Sequence, residues 1–260
     1  MTPISLLHRA APSLELLRHL LWRSGRGAFR LRATDFPRGE VWRQMHQIGN
    51  RSLLFVCVTL SFLGMVLVFQ TCLQVNRITG DLSQVGAEFI KILVHEFGPS
   101  LCAMMLATRV GAGIAAELGS MVVTDQIDAL AMNNVDPIDY LIVPRFVASM
   151  VMTGALTTVG VGCAVFAGAL TAAYSFHVNP VVFVDPSHVR IGDLVTGFFK
   201  CAAYGAAIPL VSGFCGLSAQ GGSAGVGRST TRAVIASSFM VIVLDFVISG
   251  VAYFTLQSAP

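Results

Sequence analysis

The chain has 260 residues, of which 54% are hydrophobic and only 12% charged, with a formal net charge of +3 and a mean hydropathy of +0.71. Soluble globular domains carry about 25% charged residues, and several apolar runs here reach the roughly 20 residues that cross a hydrocarbon core as a helix. A soluble domain is excluded, nothing points to nucleic acid, and an all-α polytopic membrane protein is expected.

Residues 1–35 read as an amphipathic helix lying in the headgroup region. Leu14, Leu17, Leu20 and Leu21 recur at helical spacing with Arg and His between them. The scattered Arg9, Arg18, Arg23, Arg26 and Arg30 do not fit a secretory signal. Pro37 and Gly39 break this helix, and a second short segment is expected to Arg51. The chain therefore divides into an interfacial segment, 1–51, and a five-span domain, 52–256.

Span one is expected at Ser52–Val75, which holds no charged residue. Span two, about 84–108, carries Glu88, Lys91, His95 and Glu96. Residues 109–145 read as a long acidic loop. Span three is expected over about 143–175, with Gly154, Gly160, Gly162 and Gly168 allowing close helix packing. An irregular link with two prolines leads to span four at about 193–217, and span five follows at about 232–256. Pro209 predicts a break in span four at Gly205. The six cysteines form no C-x-x-C pair and read as packing residues; no metal site is expected.

Nine of the 17 Lys and Arg residues lie within residues 1–51, and Arg109, Arg145, Arg228 and Arg232 flank the loops after spans two and four. Only Arg77 and Arg190 fall on the other side, so the N-terminus is expected in the cytoplasm. An odd span count argues against an inverted repeat within one chain, so any symmetry needed for transport would come from a homodimer.

Two stretches mimic known motifs. Gly222–Ser229 reads G-x-x-x-x-G-R-S, one residue from a phosphate-binding loop. Such a loop follows a β-strand, whereas this one follows an apolar span, with Arg228 in place of the lysine and no metal-binding partner strand. It reads instead as a turn into span five, with Ser229 or Thr230 as N-cap. "HEFGP" begins like a zinc-binding H-E-x-x-H, but Pro99 stands where the second histidine belongs.

The acidic loop is more informative. Glu117, Asp125, Asp128, Asp136 and Asp139 lie between Arg109 and Arg145 with no base among them. Thr124 followed by Ile127, Leu130 and Ala131 predicts a short capped amphipathic helix. Five acids suit an anionic lipid surface poorly and suit docking to a basic groove of a soluble partner better.

In span two, Glu88, Lys91 and His95 fall within about 60° of one another on a helix, and Glu96 about 80° from Glu88. Charges at membrane depth are expensive and usually face a bundle interior or a wet cavity. Pro99 cannot donate to the carbonyl of His95, which frees a polar group beside Glu96. Lys200 in span four and Asp245 in span five add further intramembrane charges. Two readings stand: the charges pair between helices and fix packing, or they line a cavity that accepts a lipid headgroup, with Lys91 and Lys200 as phosphate partners. An ion-coupled carrier with proton sites at Glu88, Glu96 and Asp245 is the rival from another class.

The segments "HEFGP", "TRVGAGIAAELGSMVVTDQIDALAMNNVDPIDYLIVPR" and "GVGRSTTRAVIASSFMVIVLDF" closely resemble the MlaE permeases of ABC transporters that serve MCE-domain lipid transport systems. The resemblance covers nearly all of residues 40–256. It implies that residues around 114–131 form a coupling helix seated in a groove of a separate ATPase, with Glu117, Leu118, Gly119, Thr124, Asp125, Gln126, Asp128 and Ala129 at that contact. It also implies a homodimer with a phospholipid cavity open toward an MCE-domain protein, lined by Glu88, Lys91, His95, Glu96, Pro99, Lys200 and Asp245. ATP and Mg would be bound by the ATPase, with no cofactor in this chain, and a STAS-domain protein is a further partner the resemblance allows. Many relatives have Arg where His95 stands, and histidine need not be charged at neutral pH.

Overall fold

The computed structural model describes residues 38–78, 82, 85–133, 135–184 and 191–257. The expected interfacial helix over residues 1–35 lies outside them. Every described element is helical, and five helical stretches are long and apolar enough to cross a membrane: Gly39–Ile78, Val85–Val123, Pro137–Phe176, Ile191–Leu217 and Gly222–Phe254. The all-α polytopic architecture expected from composition is the one observed.

Helix α1, Arg38–Ile78, is one uninterrupted helix. The separate short segment expected up to Arg51 is not present, because nothing after Gly39 stops the helix. Its first turn is held by Glu40, which accepts from Arg43 (2.8 Å) and Gln44 (3.0 Å) at helical spacing.

Span two is built from α2 (Val85–Ile92), a π-helical turn (Leu93–Phe97), α3 (Gly98–Leu106), a second π turn (Ala107–Gly111) and α4 (Ala112–Val123). Residues 109–123, expected as loop, therefore continue the span. Their glycines are contact points and not breakers. A Cβ on Gly111 would lie 2.8 Å from Ser212 Oγ, and one on Gly119 would lie 3.2 Å from Ser229 Oγ.

The chain reverses at Thr124–Asp125, where Asp125 takes a left-handed conformation (φ 57). Helix α5, Gln126–Met132, follows. The expected single helix over 114–131 is thus two helices. Thr124 does not cap α5 either: its Oγ1 donates back to Ser120 O at 2.9 Å. Helix α6, Pro137–Leu141, has the more regular start, with Asp136 accepting from the Ile138 N–H and Pro137 in the first turn.

Helix α7 (Val143–Phe176) matches the expected third span. It packs along α1 through Gly160, against Val56 and Leu60, and Gly168, against Val68, while Gly64 of α1 sits against the Ala164 backbone. Gly154 and Gly162 face open space and take no part in this seam. The proline-containing link is not wholly irregular: Pro180–Phe183 forms a short helix, α8, whose buried Phe183 covers Gly86.

Helix α9 (Ile191–Leu217) runs through Pro209 without breaking. Gly205, where the break was expected, presses directly on α7, its missing Cβ position lying 2.7 Å from Met150 Cα. Helix α10 (Gly222–Gln257) begins ten residues earlier than expected. Gly221 and Gly222, at φ 90 and 67, make the turn that starts it. Ser229 and Thr230 lie inside the helix, donating to Val226 O, and do not cap it.

Candidate functional site

The first π turn positions the site. The N–H of Gly98 reaches Leu93 O, one residue further than in an α-helix. This places Pro99, which has no N–H to give, in the first turn of α3. The Ser100 hydroxyl donates to Glu96 O at 2.9 Å, so the backbone around the proline keeps a partner. On the facing side, Gly197 lets α9 approach the backbone of the π turn closely, since a Cβ at this position would lie only 2.8 Å from Val94 O. Lys200, one turn later, is thereby brought to Glu96.

Lys200 is completely buried. Its Nζ lies 2.6 Å from Glu96 Oε2 and 3.0 Å from Asp245 Oδ1, so spans two, four and five meet at one ammonium group. Tyr204 donates its hydroxyl to Asp245 Oδ1 at 2.5 Å, and Ser249 donates to Glu96 Oε1 at 2.9 Å. His95 Nδ1 lies 3.2 Å from Glu96 Oε2. Desolvating a lysine is costly unless its donors are met, and two carboxylates meet this one.

The carboxylates are less enclosed than the lysine: Glu96 is 35% and Asp245 23% exposed, with His95 at 25%. One lysine faces two carboxylates, so acidic groups outnumber the base that pairs with them. The cluster is thus a locked ion pair on its inner side and an open, negatively biased surface on its outer side.

Glu88 and Lys91 are not gathered into this cluster. Glu88 is exposed and Lys91 half-buried on α2, and neither forms an ion pair among the described residues. The helical-wheel grouping assumed constant α geometry, whereas the π turn rotates His95 and Glu96 relative to α2. Tyr204 and Ser249 were not foreseen. Each stands four residues after a charged member, Lys200 and Asp245, and so on the same helix face.

The second candidate region lies at the far end of span two. Leu118 and Gly119 are buried, with Leu118 Cβ 2.9 Å from the position a Cβ would take on Gly216; they serve packing and do not face outward. Thr124, Asp125, Gln126, Asp128 and Ala129 are all exposed and form a continuous surface. Ile127, buried with Leu118, Leu141 and Ile142, anchors α5 from beneath. Glu117, 55% exposed, is held by Arg145, which is only 4% exposed, at 2.8 Å. The result is an acidic surface on a rigidly seated short helix, suited to a basic partner.

Comparison with known proteins gives this arrangement a context. The chain is 33% identical over 218 residues to a probable ABC transporter permease of Synechocystis, covering 83% of this chain and 82% of that protein. It is 29% identical to the intermembrane phospholipid transport system permease protein MlaE of Haemophilus influenzae, over 81% of this chain and 82% of that one. It is 35% identical to protein TRIGALACTOSYLDIACYLGLYCEROL 1, chloroplastic, of Arabidopsis thaliana, covering 80% of this chain and 61% of that protein. The permease MlaE family profile matches residues 41–251, and the chain belongs to that family.

Proposed function

We propose that this chain is the membrane subunit of an ABC transporter that moves phospholipid between a bacterial inner membrane and an MCE-domain protein, maintaining outer-membrane lipid asymmetry. In this reading the N-terminus is cytoplasmic. ATP and Mg are handled by a separate P-loop ATPase docked on the exposed face of α5, and a STAS-domain protein is a further partner. The observation that carries the reading is the Glu96–Lys200–Asp245 cluster, an ionised group of three spans that is closed on its lysine side and open on its carboxylate side. An intramembrane charge cluster with an open side is where a polar headgroup can be accommodated at depth.

A homodimer is part of the proposal. In an apolar 18-residue stretch of span five only 11% of the residues are buried, against 28–44% in the corresponding stretches of the other four spans, yet this span carries Asp245. A second copy would cover it and enclose the open side of the cluster. Because Lys200 is already held by two carboxylates, Lys91 is the cation left for a headgroup phosphate, and Glu96 and Asp245 suit a headgroup amine.

The test is reconstitution of the chain with its ATPase and MCE-domain partner in vesicles, following labelled phospholipid. ATP-dependent transfer is expected, and Asp125→Lys with Asp128→Lys should abolish transfer while leaving the dimer intact. Lipid movement by the chain alone, driven by a pH gradient, would overturn the proposal in favour of an ion-coupled carrier.

A further inference from the structure

The buried Arg145 guanidinium is only half used. Nη2 is held by Glu117 Oε1 at 2.8 Å, whereas Nη1 is buried and has no hydrogen-bond partner among the described residues. An unmet donor on a buried cation is costly, so the second arm of the fork calls for an acceptor of its own. Glu40 of α1 is at hand. Helices α1 and α7 run in the same direction, with Gly49 lying against Met152, Gly64 against Ala164 and Gly168 against Val68. Glu40 stands nine residues before Gly49 and Arg145 seven before Met152, about 13 and 10 Å of helix, so the two charges fall at nearly the same height. Each acts electrostatically on the other. No ion pair joins them, because Glu40 accepts instead from Arg43 at 2.8 Å and Gln44 at 3.0 Å.

Arg145 therefore stands between two carboxylates on different helices. Glu117 belongs to α4, which ends at Val123 and leads through the Thr124–Asp125 reversal into α5. Glu40 belongs to α1, which is packed on α7 along the glycine seam. Glu117 is 55% exposed and on release returns to water. A buried cation that keeps one carboxylate at each end of a movement avoids the penalty of an unpaired charge. We propose that Arg145 is a positioning residue with two partners: it holds Glu117 in this conformation and passes to Glu40 when the α5 end of α4 shifts, so that a pull on α5 is delivered to span one. The coupling role rests on the reading above in which α5 docks an ATPase; the exchange itself needs no partner protein. Arg43 and Gln44 compete for Glu40, so the exchange is incomplete at rest and losing Glu117 still costs stability.

The first measurement is a thermal-melting cycle on the purified full chain in detergent. Glu40→Gln alone should lower the midpoint by about 2 °C or less, as for a partly exposed ion pair in a chain of this size. Combined with Glu117→Ala, it should lower the midpoint by roughly 4 °C more than the two losses added, because Arg145 then has neither carboxylate. Arg43→Gln is the readout that a static pair would not move. By freeing Glu40 for Arg145, it should raise the midpoint of the Glu117→Ala variant, though not that of the parent. Strict additivity, or no recovery by Arg43→Gln, would overturn the exchange. The second measurement is lipid transferred per ATP hydrolysed by the chain reconstituted with its proposed ATPase and MCE-domain partners. Glu40→Gln should lower this ratio on the order of tenfold, and an unchanged ratio would overturn the coupling role. A parent chain that moves no lipid with ATP would count against the proposed function, while the melting cycle would still decide the exchange.

Discussion

Replacing Lys200 by Met is the sharpest perturbation of the charge cluster. Methionine fills a similar volume but removes the ammonium that sits 2.6 Å from Glu96 and 3.0 Å from Asp245. Breaking a buried ion pair from one side typically costs about 3–5 kcal/mol, because the partner charge is left uncompensated. Here two carboxylates are stranded, but at 35% and 23% exposure both keep some access to water. The expected loss is therefore the lower value, about 3 kcal/mol, a large part of the roughly 5–15 kcal/mol that folded proteins have. In a chain of this size that is a fall of about 6–12 °C in the thermal midpoint, measured in detergent. The decisive comparison is Lys200→Met with Glu96→Gln and Asp245→Asn together. Neutralising the stranded acids should recover most of the lost stability, since a neutral replacement for a buried pair is often tolerated. A single variant as stable as the parent, or a triple variant no better than the single, would refute the ionised cluster as described.

Gly205→Val should lower stability by about 1–3 kcal/mol, because its side chain would enter the Ser149–Met150–Thr153 surface of α7; Gly154→Ala, which meets nothing, should be neutral or slightly stabilising in the same melting assay. Glu117→Ala is expected to cost about 2 kcal/mol despite the exposure of Glu117, because it strands the buried Arg145 guanidinium. Asp125→Gly should raise stability slightly in that assay, by about 0.5–1 kcal/mol, by relieving the left-handed backbone at φ 57, and, on the function proposed above, should weaken retention of a P-loop ATPase in a pull-down.

The spans were legible because their signal is long and redundant: every window of apolar residues long enough to cross a bilayer became a helix. The ion-pair partners were legible only as a list. Glu96, Lys200 and Asp245 stand out as charges in apolar surroundings, but which of them meet depends on helix rotation, and one inserted residue in the π turn at Leu93–Phe97 decides it. That insertion separates Glu88 and Lys91 from a group that a helical wheel of constant α geometry had joined. Pro99 was the available sign, since a proline within a span demands a local change in hydrogen bonding, and the π turn ending just before it is the form the change takes.

The end of span two reads as loop in the sequence for a related reason. Gly111, Gly113 and Gly119, together with the acids that follow, have the composition of a loop, and local propensity favours that reading. A glycine in a helix interior is destabilising on its own, yet it lets two backbones approach where a Cβ would collide. Gly111 and Gly119 do this against Ser212 and Ser229, and Gly216 does so in return against Leu118. The stabilisation comes from partners far away along the chain, which no window of local sequence contains. The same logic extends α10 back to Gly222: its first turns look like a flexible loop until α4 is placed beside them. Where glycines alternate with small and apolar residues next to a membrane span, the packing partner and not the local composition decides whether the helix ends.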